Sequence, residues 1–381
     1  MRRARVLLSA RDPAAAAQLR VVIPALRETR RFALTVAASE PALDILEVAG
    51  EAPVPFALPD GSSVLASRAE PAPMLAAATS LLQRLDPDAL VVGVSSLGAG
   101  IDEALLACAG DRPTFALQDY PGDANAIGSA YAGLYFVRDE PAAQLTRERF
   151  GVTARPVGSL RHARYAALDV AALRAASRAA LGVTDGRPVV GFFAQPAAIP
   201  GQAAAFGRLV SALAAEVPHA LIVLREHPKS LEQAQMHLAA LRRAGLDVRD
   251  ASADDTAEPA LAACDVVTTC FSTTSMDYAF LSARAETPLG VVLFLLTEPA
   301  TREFMRAEGV GDPDGVLAGL GLVAREPGEV GPLLAAALGA ETRRAYHEAS
   351  RRLPARADIE AIVRLVGEAA EARVLRTAAS A

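Results

Sequence analysis

The sequence lacks tryptophan and has few aromatic residues, although it is long enough for two domains. It has 381 residues, of which 52% are hydrophobic but only 5% aromatic. Chains longer than about 250–300 residues usually divide into separate hydrophobic cores. Burial must come mainly from alanine, valine and leucine, which suits helices packed on parallel sheets. The composition therefore favours an α/β protein of two domains.

The chain also lacks the usual signs of a metal site, a signal peptide and a membrane span. Its three cysteines form no CxxC pair and predict buried thiols in a reducing compartment: Cys108, Cys264 and Cys270. The apolar segment after the basic start is too short for a signal peptide, and the run at residues 288–296 is too short to cross a bilayer. We expect a cytoplasmic protein without a transmembrane segment; peripheral contact with a membrane stays open.

Basic residues are scattered, and all but one of them are arginine. The formal net charge is -6, and no basic stripe is present, which argues against binding of nucleic acid. Lys229 is the only lysine and Asn125 the only asparagine of the chain. In a sequence that otherwise avoids both residue types, these two positions are candidates for a specific role.

Short apolar runs alternate with helical patterns along the chain, as is typical of βαβ units with parallel sheets. Strands are predicted in the first half at residues 6–8, 32–36, 89–94, 114–117 and 134–137. Strands are predicted in the second half at residues 189–193, 220–224, 266–268, 291–295 and 320–324. We expect domains at residues 1–160 and 188–354, a linker at 161–187, and a C-terminal helix at 355–381 that crosses back onto the first domain.

Two loops at predicted strand ends carry side chains suited to phosphate. In open α/β sheets, ligands bind at the carboxyl ends of strands, where loops lead into helices. The first loop, residues 225–229, reads REHPK, and its basic groups suit a diphosphate. The second, residues 272–275, reads STTS ahead of an apolar helix whose amides can hold an anion. A solvated turn and an ordinary helix cap are the alternatives for these loops.

The order of short motifs along the chain resembles one group of nucleotide-sugar enzymes. Residues 224–228 (LREHP) match a strand end of the form (K/R)xHP, and residues 263–267 (ACDVV), followed by the STTS turn, match an aspartate-led strand and a serine-rich turn. This set resembles glycosyltransferases of the GT-B fold, with UDP-N-acetylglucosamine 2-epimerases and CDP-glycerol glycerophosphotransferases. The epimerase pattern SGGxxEE is absent, which disfavours a simple epimerase and leaves the nucleotide base open.

The resemblance implies two Rossmann-like domains whose parallel sheets face across a cleft, the first binding an acceptor and the second a nucleotide sugar. By that resemblance, the donor contacts are Arg225, His227, Lys229, Ser272, Thr273, Thr274, Ser275, Asp277, Gln195 and Gly201. The three basic residues would neutralise the diphosphate, and Asp277 would reach a ribose hydroxyl in place of the usual glutamate. The nucleotide sugar is then a substrate, and neither a cofactor nor a metal is implied.

An inverting transfer also needs a base that takes a proton from the acceptor hydroxyl. Carboxylates follow several predicted strands of the first domain, and we predict Asp119 as the base, with Asp12 next. Asp123 and Asn125 are predicted on the acceptor side. Further candidates that would face the cleft are Asp102 and Glu103, with His162 weaker. A turn residue or a helix cap is the alternative at each position.

We therefore expect a glycosyltransferase that moves a sugar to a glycan, lipid or protein acceptor in the synthesis of bacterial surface polysaccharides. A nucleotide-sugar epimerase or hydrolase of the same fold is the enzymatic alternative, because it would bind the same donor. A non-catalytic protein that binds nucleotides or sugars is the third interpretation. The sequence leaves open the sugar, the acceptor, inversion or retention, and the oligomeric state.

Overall fold

The computed structural model describes residues 2–56, 71–95, 98–183, 186–254, 256–307, 312–313 and 319–379. The chain forms two compact units, one of Met1–Ala163 with Pro354–Ala381 and one of Arg164–Leu353. Each unit has its own parallel sheet and its own hydrophobic core.

Seven described strands form the sheet of the first unit, in the order β3-β2-β1-β4-β5-β6-β7, with every neighbouring pair parallel. The strands are β1 (Ala4–Ala10), β2 (Phe32–Ala38), β3 (Val54–Pro55), β4 (Ala89–Val92), β5 (Thr114–Leu117), β6 (Leu134–Val137) and β7 (Ala154–Pro156). The helices before the second unit are α1 (Pro13–Glu28), α2 (Ala42–Val48), α3 (Ala72–Leu85), α4 (Ile101–Ala107) and α5 (Glu140–Phe150).

Both faces of this sheet are covered by helices, and β1 shows how the sequence achieves this. Successive side chains of a strand point to opposite faces. Val6 and Leu8 therefore lie in the core formed with α1 and α2, whereas Leu7 lies in the core formed with α3, α4 and α5. A strand buried on both faces needs a continuous apolar run, and this is the pattern that identified it in the sequence.

Six described strands form the parallel sheet of the second unit, in the order β10-β9-β8-β11-β12-β13. The strands are β8 (Val189–Phe193), β9 (Leu221–Arg225), β10 (Asp247–Asp250), β11 (Val266–Thr269), β12 (Val291–Leu295) and β13 (Leu322–Ala324). The helices are α6 (Val170–Ala180), α7 (Gln202–Glu216), α8 (Ala234–Arg243), α9 (Glu258–Ala263), α10 (Thr274–Arg284), α11 (Pro299–Ala307), α12 (Val330–Ala337) and α13 (Ala340–Ser350). Short 3-10 helices span Ala163–Ala167, Pro228–Gln233 and Pro327–Glu329.

The prediction of two βαβ series is confirmed, and every predicted strand is present. The structure adds β3, β7 and β10, which the sequence reading missed. All three lie at a sheet edge. Edge strands expose one side to solvent, and these contain partly buried or exposed positions, so they lack the apolar run on which the prediction depended.

The last helix, α14 (Ile359–Ala379), packs against the first unit. Its side chains Ile362, Val366 and Ala370 are buried in the same core as α1 and β1. Asp358 precedes the helix, and its carboxylate accepts a hydrogen bond from the Ala361 N–H at 3.0 Å. The helix has 21 residues but carries charges throughout, and no described helix is long and apolar enough to cross a membrane.

Two of the three cysteines are buried, as predicted, whereas the third is not. Cys264 and Cys270 lie in the core of the second unit, and burial raises the pKa of the Cys270 thiol to about 12. Cys108 is only half-buried, because it stands at the end of α4, where the helix leaves the core. The expectation of a buried thiol is therefore wrong at this position.

Asp265 holds the amino edge of the second sheet together. Its main chain accepts from Val291 N–H at 3.0 Å and donates to the Val189 carbonyl at 2.7 Å, which joins β11 to β12 and β8. Its side chain is 8% exposed and pairs with Arg174 at 2.6 Å, Arg178 at 3.0 Å and Arg343 at 2.9 Å. One carboxylate thus connects two helices with the start of three strands.

Replacing Asp265 tests this interpretation. In Asp265→Asn, the three guanidinium groups lose their buried anion, and we expect the free energy of unfolding to fall by about 3 kcal/mol. Urea unfolding followed by circular dichroism measures the change.

Asp247→Asn is the matched control, because Asp247 lies on the same sheet and pairs with Arg187 and Arg249 but is 40% exposed. An exposed ion pair contributes about 0–1 kcal/mol. Equal losses in the two variants would contradict the central role of Asp265.

Candidate functional site

Three loops meet at the carboxyl edge of the second sheet. Strands β9, β8 and β11 are neighbours, in that order, so the loops after them lie side by side. These loops are residues 194–201, 226–230 and 270–273. The two phosphate-type loops of the sequence analysis are the outer ones, and the loop after β8 lies between them.

The central loop is hydrogen-bonded to both of its neighbours. On one side, the Gln195 side-chain oxygen accepts from Phe271 N–H at 2.9 Å. On the other side, Ala197 N–H donates to the Ser230 hydroxyl at 2.8 Å. Gln195 is buried, and the Gln202 amide also donates to its carbonyl at 3.0 Å. The three loops therefore form one connected surface, in which Gln195 joins the central loop to the loop after β11 and Ala197 joins it to the loop after β9.

The STTS turn uses its hydroxyl groups largely within itself. The Ser272 hydroxyl donates to the Thr274 hydroxyl at 3.0 Å and accepts from Thr274 N–H at 3.2 Å. The Ser275 hydroxyl is buried and donates to the Ser272 carbonyl at 2.7 Å. Thr273 is the first residue before α10 and is half-buried. The turn thereby holds the amino end of α10 at the edge of the sheet.

Arg225 stabilises a neighbouring loop. Its guanidinium donates to the Ala251 carbonyl at 2.5 Å and to the Asp254 carbonyl at 2.9 Å, both in the segment after β10. Burial lowers the pKa of Arg225. A guanidinium nevertheless keeps its positive charge at neutral pH. Arg225 therefore adds positive charge at this edge but commits part of its hydrogen-bonding capacity to the protein.

The other two basic residues of this loop stand after the strand end. His227 is half-buried, and its carbonyl accepts from Ser230 N–H at 2.8 Å. Lys229 lies in the 3-10 helix Pro228–Gln233, and its side chain is outside the described part of the structure. Their contact with a diphosphate stays a prediction.

Glu226, between these basic residues, turns into the core. Its carboxylate is 2.5 Å from His237 Nδ1 on α8, and both side chains are buried. The sequence analysis gave neither residue a role. Glu226 looked like one more charge in a polar loop, and His237 like one polar residue on an amphipathic helix; only their pairing in space distinguishes them.

Gly201 and Asp277 occupy more enclosed positions than the resemblance suggested. Gly201 has φ +82°, and a Cβ there would lie 2.5 Å from Thr301 Oγ1 and 2.8 Å from Glu298 Cβ. The close approach that this glycine permits is thus to the loop after β12. Asp277 is buried in the first turn of α10. Contact of either residue with a nucleotide stays a prediction.

The carboxylates predicted as bases follow β1 and β5, the two strands that flank β4, at the carboxyl edge of the first sheet. Asp12 follows β1 and pairs with Arg11 at 2.9 Å, and Asp119 follows β5 and pairs with Arg161 at 3.5 Å. His162, the weaker candidate, is buried and lies 2.7 Å from the Ser159 hydroxyl. Both carboxylates predicted as bases are therefore partly exposed and neutralised by an adjacent arginine.

Asp102 and Glu103 are buried, so the expectation that they face a cleft is wrong. Asp102 accepts from the Ser9 hydroxyl at 2.6 Å and from Gly93 N–H at 3.2 Å. Glu103 accepts from Ser95 N–H at 2.9 Å and closes a capping interaction at the start of α4. Burial, reinforced by the Asp102 charge, raises the pKa of Glu103 to about 8. Both carboxylates accept hydrogen bonds from backbone N–H groups of the loop after β4 and thereby hold its conformation.

Asp123, in the loop after β5, has a raised pKa. It is half-buried, and burial together with the nearby Asp119 and Asp12 charges raises its pKa to about 6, against the lowering effect of Arg149. Asn125 donates to the Ser95 carbonyl, which ties the loop after β5 to the loop after β4. Asp12 and Asp119 thus act electrostatically on Asp123, which the sequence placed on the acceptor side rather than among the predicted bases.

No three histidine, cysteine, aspartate or glutamate side chains are grouped as metal ligands within the described ranges. The carboxylates near β1 and β5 instead have arginine partners. Independence from metal stays a prediction.

The architecture is similar to solved structures of nucleotide-sugar proteins. With S. aureus MnaA, solved with UDP, the chain shares 15% identity over 97% of its own length and 94% of the other chain, with a TM-score of 0.61. With UDP-GlcNAc 2-epimerase from Neisseria meningitidis, bound to UDP-GlcNAc, the chain shares 14% identity over 94% of its own length and 98% of the other chain, with a TM-score of 0.64. With MurG from Acinetobacter baumannii, it shares 12% identity over 96% of its own length and 100% of the other chain, with a TM-score of 0.62.

At this identity the similarity shows the fold, which is the GT-B fold, and the expected fold class is confirmed. No protein-family model matches the sequence, and no curated protein is significantly similar to it in sequence.

The raised pKa of Asp123 predicts a specific dependence of stability on pH. Folded Asp123 keeps its proton up to about pH 6, whereas the unfolded chain loses it near the ordinary value of 3.8. Between these values the folded state binds more protons, so ionisation of Asp123 makes the free energy of unfolding fall as pH rises. Asp123→Asn cannot ionise and should gain up to about 3 kcal/mol over the parent protein at pH 7.

Urea unfolding at pH values from 4 to 8 measures this difference. We expect the two proteins to converge near pH 4 and to separate as the pH rises to about 6. A constant difference over the whole range would show that Asp123 titrates normally.

Proposed function

We propose that this chain is a glycosyltransferase that binds a nucleoside-diphosphate sugar at the carboxyl edge of the second sheet and moves the sugar to an acceptor hydroxyl. The observation that carries the proposal is that the loop after β8 is hydrogen-bonded to both neighbouring loops, through Gln195 on one side and Ala197 on the other. This connection brings the basic REHPK loop and the amino end of α10 to one edge. Backbone N–H groups at a helix start and neighbouring basic side chains are the groups that bind phosphates.

The proteins of similar structure support a uridine nucleotide as the first ligand to test. MnaA was solved with UDP and the Neisseria epimerase with UDP-GlcNAc. This chain shares their fold and has polar loops at the carboxyl edge of its second sheet, so we propose a UDP-sugar as donor. Assays with glycan, lipid and protein acceptors would identify the acceptor class.

The chemistry proposed for the site has two parts. Departure of the nucleoside diphosphate places negative charge near the REHPK loop, and preorganised positive charge stabilises that leaving group. His227, Lys229 and, at longer range, Arg225 supply this charge in the proposal. Asp119 or Asp12 then takes the proton of the acceptor hydroxyl. Release of that carboxylate from its arginine partner would accompany acceptor binding.

An epimerase is the second candidate, because UDP-GlcNAc 2-epimerases are among the similar structures. It would use the same donor site but would convert the nucleotide sugar without any acceptor. Product analysis of UDP-sugars incubated with and without candidate acceptors separates the two activities: a product formed only with acceptor supports the transferase, and one formed without it supports the epimerase.

Lys229→Ala tests the donor site. A charge-assisted hydrogen bond contributes about 1.5–3 kcal/mol, so loss of the lysine should weaken UDP binding by about ten- to a hundredfold. Isothermal titration calorimetry gives the affinity, and the melting temperature of the variant confirms that it is folded.

Lys229→Arg is the control, because it keeps the positive charge and should retain more of the affinity than the alanine variant. Unchanged binding of UDP by Lys229→Ala would return this loop to its interpretation as a solvated turn.

Asp119→Asn and Asp12→Asn test the base. The variant that removes the base should lower turnover by about 10²–10⁴-fold, the usual contribution of general base catalysis, while UDP binding stays intact. Steady-state rates at saturating donor, alongside UDP titrations, measure both quantities. If both variants keep full turnover, neither carboxylate is the base.

A further inference from the structure

A buried carboxylate-imidazole pair lies directly behind the REHPK loop. Glu226 Oε1 is 2.5 Å from His237 Nδ1, and the side chains are only 1% and 2% exposed. The remaining polar atoms, Glu226 Oε2 and His237 Nε2, are buried and have no hydrogen-bond partner within the described structure. Each side chain of the pair therefore has one polar atom with a hydrogen-bond partner and one buried polar atom without a partner among the described residues.

The surroundings make this arrangement unfavourable for stability alone. The His237 ring centroid is 4.2 Å from that of Phe206 and 6.1 Å from that of Phe192, so the pair lies against aromatic core. Taking a carboxylate and an imidazole out of water is costly, and well-packed apolar residues of similar volume are often more stable. Stability does not account for an acidic residue turned inward at this position.

The pair holds one end of a short basic span. Besides the bond to His237, Glu226 donates its N–H to the Ser252 hydroxyl at 3.0 Å. At the other end, the Ser230 hydroxyl accepts from Ala197 N–H at 2.8 Å. Residues 227–229, which include His227 and Lys229, lie between these two attachments.

We propose that Glu226 and His237 are positioning residues for the diphosphate, an inference that rests on the proposed function. Their pairing orients the span 227–229. It also keeps the Glu226 carboxylate away from the diphosphate, which it would repel if it turned outward, and away from Lys229, with which it would pair. His237 thus acts on the ligand through Glu226.

The two variants His237→Phe and His237→Phe with Glu226→Gln separate this role from simple support of the fold. Phenylalanine fills the site beside Phe206 but leaves Glu226 as an unpaired buried anion, which should turn outward. We expect UDP and inorganic pyrophosphate to bind about tenfold more weakly, and uridine, measured by competition with UDP, to change little. Adding Glu226→Gln removes the misplaced charge and should bring UDP binding back to within about threefold of the parent protein.

His347→Phe is the matched control, because His347 is also a buried histidine of the second unit but lies on α13. It should leave UDP binding unchanged even if the melting temperature falls. A His237→Phe protein that binds UDP like the parent, or a double variant that binds no better than His237→Phe, overturns the inference. Equal losses for UDP and uridine overturn it too, because they indicate general damage to the site.

A pair of milder substitutions covers the case in which His237→Phe does not fold. Asparagine places an amide N–H where His237 Nδ1 stands, whereas glutamine places it near Nε2. We expect His237→Asn to bind UDP within about threefold of the parent protein and His237→Gln about tenfold more weakly. Equal affinities would overturn the inference. If the parent protein itself binds neither UDP nor pyrophosphate, the proposed function fails and the inference fails with it.

Discussion

The arrangement of the second unit depends on the ion pairs that the buried Asp265 carboxylate makes with three arginines. Asp265 joins Arg174, Arg178 and Arg343 at the amino edge of the sheet, while its main chain aligns β11 with β8 and β12. Strands β8 and β11 have five and four residues, so they rise only about 13–17 Å at ~3.3 Å per residue. Because the strands are this short, the strand register set at the amino edge also fixes where the loops begin at the carboxyl edge.

At that carboxyl edge, many polar groups that suggested ligand binding also hold the protein together. Gln195 joins two loops, Ser272 and Ser275 close the turn before α10, and Arg225 supports the segment after β10. This does not remove them from a binding site, since preorganised groups bind a charged ligand with less reorganisation. These residues shape the surface, and we propose that the span 227–229 adds positive charge for a bound diphosphate.

The carboxyl edge of the first sheet carries carboxylates in different electrostatic environments. Asp12 and Asp119 each have an arginine partner, whereas Asp123 is raised in pKa by burial and by those two carboxylates. Beneath them, Asp102 and Glu103 are fully buried and bind the backbone of the loop after β4. Burial thus raises the pKa of Asp102, Glu103 and Asp123 above the ordinary value of a carboxyl group.

The sequence by itself determined the two parallel sheets, because strands buried on both faces need apolar runs that are visible without a structure. It also located the loops at the carboxyl ends of β8, β9 and β11, since these follow from the strand positions. Tertiary structure alone decided which polar side chains turn inward. Glu226 and His237 are eleven positions apart and meet only when α8 packs on β9, and a charged letter in a loop does not show whether its side chain faces water or core. Burial and pairing depend on distant elements, so local pattern could not predict them.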